Sequence, residues 1–457
     1  FGNTVYNDST ATISQSTITV AGVLINNNNT ADAIKATNGF VVQSNATLQS
    51  NASALAGNIT NNGGWVVFTG GTNDNDVTGT GWLRATNTMT NNGDISQARV
   101  YIDSGTVTNN GVITADDIYV DSDAILLTNN LLDTTAGSGG IHNNGTLQVN
   151  VDSTTTINSA NIIDGGGGLE ILGNTVFNQQ ADKTITQGSI LISSNASLTA
   201  NADDLIVSDK IYNEGSLTFQ GSSVNNNNEV TGTGDLFING SIRNFKNISQ
   251  SNLTLYNSTS LLNVEGSTVT LTDNLSIGSS AGLQNNGILN VVDGVNNGSI
   301  TYGSTSQGII NISGNFINNG NMAQEELYIS SGASVITNAS NSNIHKIISN
   351  NGDFIFTGGV SDDNITGTGT LTYNGAESNL TNYADITQSA VNITSGTFSN
   401  HTGVITATAI DIASNGTLQT DIDDIDTYTN GGAVTNAGLL QINADGTNLN
   451  SIQGTGN

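Results

Sequence analysis

The chain has 457 residues, 37 of them Asp or Glu against 8 Lys or Arg, for a formal charge of −29, and it contains neither Cys nor Pro. That balance leaves no basic patch for nucleic acid or an anionic membrane surface, and the lack of Cys removes disulfide and thiol chemistry. At the ordinary ~5% a chain this long would hold roughly twenty prolines, and a fold in which nearly every backbone N–H donates to a neighbouring strand excludes them.

From Phe1 to Asn62 short β-branched runs alternate with polar turns: Thr17–Val20 and Phe40–Val42 read as strands, Asn26 to Asn29 as a turn between them. Further on, Asn-Asn-Gly recurs as punctuation at 61–63, 91–93, 109–111, 143–145, 285–287, 296–298, 318–320 and 350–352. Asn and Gly accept left-handed backbone angles at little cost, so these read as turns. Strand-like runs such as Thr146–Val151 and Asp353–Phe356 follow them, alternating with period two, which buries one face of each strand. Met322 to Leu327 is the one stretch that reads as helical, and it is too short to matter. No aliphatic run approaches the length of a membrane span, the longest being Ala124 to Leu127.

A longer motif organises these runs. Val77-Thr78-Gly79-Thr80-Gly81-Trp82-Leu83 precedes Ile95-Ser96-Gln97, with fourteen residues from Gly81 to Ile95. The same phrase returns at Val230–Leu236 before Ile248-Ser249-Gln250, and at Ile365–Leu371 before Ile386-Thr387-Gln388. A degenerate copy runs from Gly165 to Gly168 before Ile185-Thr186-Gln187, and a last one occupies Gly454-Thr455-Gly456-Asn457. Repetition on this scale marks stacked structural units. With 35% hydrophobic residues, 54 Gly and only 5% aromatics, the core must be narrow and built from Ile, Leu, Val and Ala. The expected fold is therefore all-β, a parallel β-helix (β-solenoid) built from degenerate multi-coil repeats. It is expected to run as one continuous domain over 1–457, with module openings near 78–81, 165–168, 231–234, 366–369 and 454–456. A stack of antiparallel hairpins is the competing fold, since it also uses Asn-Gly turns.

Candidate chemistry is sparse. Asp421, Asp423, Asp424 and Asp426 form the densest acidic cluster. If they lay on a strand, Asp424 and Asp426 would share a face and pair as general acid and base; a turn or an exposed structural edge is the alternative. Arg84, Arg99, Arg243 and the histidines His142, His345 and His401 have no common locus in sequence, so no enzyme is expected. The acidic loops before the Gly-Thr-Gly copies, with Asp74 and Asp76 in the first and Asp362 and Asp363 in the third, are candidates for structural calcium; otherwise no cofactor is expected. Trp65 and Trp82 lie close enough in sequence to form a glycan platform if they are exposed side by side among polar neighbours.

The Asn-Asn-Gly-x-[Leu/Ile] punctuation and the phrase Thr106-Val107-Thr108-Asn109-Asn110-Gly111-Val112-Ile113-Thr114 resemble the passenger regions of bacterial surface adhesins. The likeness is to autotransporter and filamentous-haemagglutinin-type proteins, including rickettsial-type surface-layer proteins. It implies a right-handed parallel β-helix, export, and a role outside the cell at its surface. Two functions are then expected. One is a structural protein that assembles head to tail with copies of itself into a filament or coat. The other is an adhesin that binds a receptor or glycan on a host or neighbouring cell; a polysaccharide-active enzyme is the least expected. The first residue, Phe1, suggests a processed or excised chain. Phe1-Gly2-Asn3-Thr4-Val5 continues the register that Gly454-Thr455-Gly456-Asn457 opens, which makes these nine residues the candidate polymer interface. Neither nucleic acid nor membrane insertion is expected of this chain.

Overall fold

The computed structural model describes all residues except 1–2, 9, 135–138, 152–156, 160–161, 180–182, 304–307, 376–377, 427–431, 444–447 and 449. It is all-β, 62% strand and 3% helix, with parallel stacked coils forming a β-solenoid of about 22 turns. The strand pairings are parallel and in register, as in Trp65↔Trp82 and Ile95↔Ile113, so the hairpin stack is not the fold. The coils fall into two compact units, Phe1–Thr218 with Asn228–Gly234 and Phe219–Asn227 with Asp235–Asn457.

In both units the strands alternate between half-buried and buried residues, as period-two patterning requires. Inward positions hold Ile, Leu, Val or Phe, for instance Val66, Leu83, Val100 and Ile118 in the first unit and Leu236, Leu253, Leu275 and Val335 in the second, none more than 1% exposed. Each such side chain contributes about 1.5–3 kcal/mol by leaving water.

The strand ends carry a second, polar core. In the first unit Asn73 donates to Asn91 (2.7 Å), Asn91 to Asn109 (2.8 Å) and Asn109 to Thr128 (3.3 Å). In the second, Asn226, Asn244, Asn263 and Asn285 form a like series, and Asn285 donates to Gln324 at 3.0 Å. One amide meets the next because coil stacking sets equal side chains about 4.8 Å apart, so each buried polar group finds its partner along the ladder.

This ladder revises the reading of Asn-Asn-Gly. Among its eight glycines only Gly63 has positive φ. The first Asn of each copy is a buried ladder residue (Asn61, Asn91, Asn109, Asn143, Asn285, Asn296, Asn318, Asn350). At the other seven glycines a Cβ would run into a backbone carbonyl of the preceding coil, such as Gly93 O beneath Gly111 and Ala124 O beneath Gly145. The glycine is there for close approach of backbone to backbone more than for left-handed geometry.

The five module openings share one conformation. Gly79, Gly165, Gly232, Gly367 and Gly454 have φ of +120°, +119°, +129°, +134° and +136°. In each copy the glycine two residues on donates to the carbonyl of a ladder Asn: Gly81 to Asn61, Gly167 to Asn143, Gly234 to Asn213, Gly369 to Asn350 and Gly456 to Asn436, all at 2.9–3.0 Å. The Ile-Ser/Thr-Gln landmark follows from this. Gly81 leaves room for the Asn61 amide, which reaches past it to Gln97 Oε1 at 2.7 Å; Asn143 reaches Gln187 (2.6 Å) and Asn350 reaches Gln388 (2.7 Å) likewise.

Met322 to Leu327 is not helical: it lies in the strand Asn321–Ile329, with Met322 and Leu327 buried and a bulge between Gln324 and Glu326. Pairing on both sides, with Ile309–Ile312 and Ser342–Asn350, overrides the local helix preference. Short 3₁₀ turns such as Ala52–Ala54 and Ala339–Asn341 are capped by Asn51 and Asn338, whose side chains accept the amides of Ser53 and Ser340.

Candidate aromatic and arginine face

Five consecutive strands of the first unit build one outward face: β1 (Trp65–Phe68), β2 (Trp82–Ala85), β3 (Ile95–Ile102), β4 (Ile113–Val120) and β5 (Gly140–Asn143). Because β1 and β2 bury Val66, Phe68, Leu83 and Ala85, the alternate residues Trp65, Val67, Trp82 and Arg84 must point out. Parallel register then aligns two columns: Trp65, Trp82, Arg99, Asp117 in one, and Val67, Arg84, Tyr101, Tyr119, His142, Asp164 in the other.

The rings touch along the stack. Trp65 and Trp82 lie 4.8 Å apart at 55°, and Trp65 meets Tyr101 at 5.6 Å and 37°. Tyr101 and Tyr119 stack at 4.8 Å and 8°, and Tyr119 and His142 at 4.7 Å and 25°. The Arg84 guanidinium sits 5.0 Å from the Trp65 ring and 5.5 Å from Tyr101, within cation–π range of both. All five aromatic residues are half-buried, and each ring is held by its neighbours.

Carboxylates flank both arginines of the face and its imidazole. Arg99 Nε donates to Asp117 Oδ2 at 3.2 Å. Arg84 Nε lies equally near Asp103 Oδ2, but its N–H is not aimed at that oxygen, so the contact is an ion pair without a hydrogen bond. His142 stands between Asp164 (Nδ1 to Oδ1, 2.7 Å) and Asp117 (Nε2 to Oδ1, 3.5 Å). Tyr101 beside Arg99 favours the charged guanidinium, burial and then Asp117 push the Tyr119 hydroxyl up, and burial raises the Asp103 carboxyl against the pull of Arg84. The face thus offers two indoles, a row of phenol and imidazole edges, and alternating hydrogen-bond donors and acceptors.

Sequence reasoning singled out Trp65 and Trp82, and the structure sets them side by side among polar neighbours. It treated Arg84, Arg99 and His142 as scattered; the fold brings these three to one face, which corrects that reading. The missed signal was the one-coil spacing of Trp65 to Trp82 and of Tyr101 to Tyr119, which maps to a column only once the coil length is known.

The other candidates fall elsewhere. Asp74 Oδ1 accepts from the Asn92 side chain at 2.7 Å and Asp76 Oδ1 accepts the Asp94 amide at 3.0 Å, so both tie one coil to the next. In the second unit Asp363 Oδ2 accepts the Ile344 amide at 2.9 Å; burial pushes its carboxyl up to about 6, while Asp362 is exposed beside it. These two line a shallow cleft of about 240 Å³. Among the described residues no three His, Asp or Glu side chains gather in an arrangement that could hold a metal ion.

The 421–426 segment is not the pleated strand that would place Asp424 and Asp426 on one face. Ile422–Asp424 is a 3₁₀ turn, with the Asp424 amide donating to Asp421 O, and only Ile425–Asp426 is strand. The buried Ile425 fixes the turn, and burial, then Asp421 and Asp423, raise the Asp424 carboxyl.

Of the candidate polymer-interface residues, Phe1 and Gly2 lie outside the described residues, Asn3 is exposed, and Thr4 and Val5 pair with Val23 and Leu24. Gly454 pairs with Asn436, and the segment to Asn457 repeats the module-opening turn, with Thr455 exposed and the Asn457 amide donating to Gly438 O.

No family model, curated protein or solved structure matches this chain. Fold and face together define its class: a parallel β-solenoid that carries an aromatic and arginine platform on one sheet.

Proposed function

We propose that this chain is an extracellular surface protein of the adhesin type, with the solenoid as scaffold and the Trp65–His142 face as its glycan-contacting surface. One observation supports this above the others: the chain's two tryptophans lie 4.8 Å apart, partly exposed, and continue into Tyr101, Tyr119 and His142. Indole faces stack on the C–H-rich faces of sugar rings, and Arg and Asp side chains at their rims hydrogen-bond the hydroxyls. Aliphatic side chains hold the coils together elsewhere on the solenoid, so two partly exposed indoles gathered on one face point to a ligand. Between a self-assembling coat and an adhesin, this surface favours the adhesin. The acidic composition and the lack of Cys agree with an exported chain. Affinity electrophoresis of the full chain through gels carrying soluble polysaccharides tests the reading. Retardation by at least one glycan, lost in Trp65→Ala/Trp82→Ala, is the expected result; retardation by none, or retardation that the double variant keeps, refutes it.

A further inference from the structure

Resting on that reading, we infer that the ligand is a neutral, linear polysaccharide that lies along the coil-stacking direction, across the strands. Direction comes from the arrangement of the groups. The residues that change from rung to rung, Trp82, Arg99 and Asp117 in one column and Arg84, Tyr101, Tyr119 and His142 in the other, change along the stack. Rings on neighbouring coils, Trp65 and Trp82, Tyr101 and Tyr119, and Tyr119 and His142, have centroids 4.7–4.8 Å apart. A pyranose in an extended chain advances by about the same distance as one ~4.8 Å rung, so successive sugars meet successive coils.

The division of labour follows from the ring angles. Tyr101, Tyr119 and His142 spend their faces on one another, at 8° and 25°, and carry their polar atoms beside Arg99, Asp117 and Asp164, where hydroxyls and charges gather. The indoles cross at 55° and the Arg84 guanidinium lies over the Trp65 ring, so the sugar falls to Trp82. One end of the platform stacks, and the rest hydrogen-bonds.

Charge selects against acidic glycans. Arg84 is paired with Asp103 and Arg99 with Asp117, each at 3.2 Å, and His142 stands between that same Asp117 and a third carboxylate, Asp164. Asp103, Asp117 and Asp164 outnumber the two guanidinium groups, on a chain of formal charge −29. A polyuronate or sulfated glycan meets net repulsion here, whereas a neutral hydroxyl both donates to Asp and accepts from Arg.

The test is calorimetric titration of the full chain with a neutral linear glucan and a neutral mannan, a polyuronate and a sulfated glycan, at low and high salt. Oligosaccharides of the bound polymer, from disaccharide to hexasaccharide, follow. Binding of a neutral polymer that survives high salt and tightens with each added ring is the expected result. Trp82→Ala should weaken it about tenfold or more, as removal of a central aromatic anchor does, and Trp82→Tyr should restore most of it. Tyr119→Phe, which removes one hydroxyl and leaves the stack, should cost less. Should Trp82→Ala fail to fold, Trp82→Tyr and Tyr119→Phe still read the site. Salt-sensitive binding of the polyuronate or sulfated glycan, lost in Trp82→Ala, would overturn the neutral-ligand inference and leave the glycan-binding reading standing. No glycan bound, or binding indifferent to both tryptophans, would overturn both. Self-association that Trp82→Ala abolishes would assign the face to a second copy of the chain and overturn both as well.

Discussion

Gly79→Ala tests the conformation on which the module openings depend. Gly79 has φ +120° and pairs with Asn61 of the preceding coil, so an alanine there is strained in its backbone and drives its Cβ into the Asn61 carbonyl oxygen. Holding a non-glycine residue in that region costs about 1–3 kcal/mol. The displaced Asn61 carbonyl also takes the Gly81 amide at 3.0 Å, and weakening that bond costs about 1 kcal/mol more. The expected penalty is about 2–4 kcal/mol, confined to neighbouring coils because each coil of a solenoid touches only those next to it. A single melting temperature would blur such a local change in a long array, so amide hydrogen exchange is the assay. Peptides covering 59–85 contain the Gly81 and Trp82 amides, the latter donating to Gly64 O at 2.9 Å. They should exchange about 30- to 700-fold faster, at tenfold per 1.4 kcal/mol. Thr80→Ala, at an exposed neighbour, should stay within about 0.5 kcal/mol of the parent. Exchange in Gly79→Ala no faster than in Thr80→Ala would refute the reasoning. Gly232 and Gly367 share that positive φ and that close approach to an Asn carbonyl, so their alanine variants should behave alike.

Gln97→Ala should destabilise the same coils by about 1–3 kcal/mol, because it removes the acceptor 2.7 Å from the buried Asn61 amide; unchanged exchange at Gly64 and Trp82 would count against the two-coil bond. Asp363, raised by burial to about 6 from 3.8, binds its proton more readily folded than unfolded. Its contribution is therefore full below the unfolded value and is lost as pH rises through about 6. Opening around the Ile344 amide, corrected for intrinsic exchange, should become easier between pH 4 and 7, and Asp363→Asn should flatten that dependence. Glycan retardation should disappear in Trp65→Ala/Trp82→Ala while the far-ultraviolet spectrum stays that of a β protein.

The parallel stacked architecture was legible in the sequence because its causes are local. Period-two patterning, the absence of Pro and the recurrent Gly-x-Gly each constrain the backbone wherever they occur, and even the degenerate Gly165 to Gly168 copy takes the same φ and donates to an Asn carbonyl as the others do. The Ile-x-Gln landmark was visible too, but its reason was not: Gln97 lies two coils from Asn61, and only stacking shows that Gly81 leaves a gap for the two amides to meet. The same limit applied to Asn-Asn-Gly, where a turn signal proved to be a ladder amide followed by a glycine pressed on the coil beneath. It also hid the candidate face. Whether Arg84 stands beside Tyr101, or His142 beside Tyr119, depends on the number of residues in each intervening coil. That number is set by turns and insertions whose closure is a tertiary event. Sequence determined which way each side chain points relative to its own strand; the stacking of coils decided which neighbours it meets.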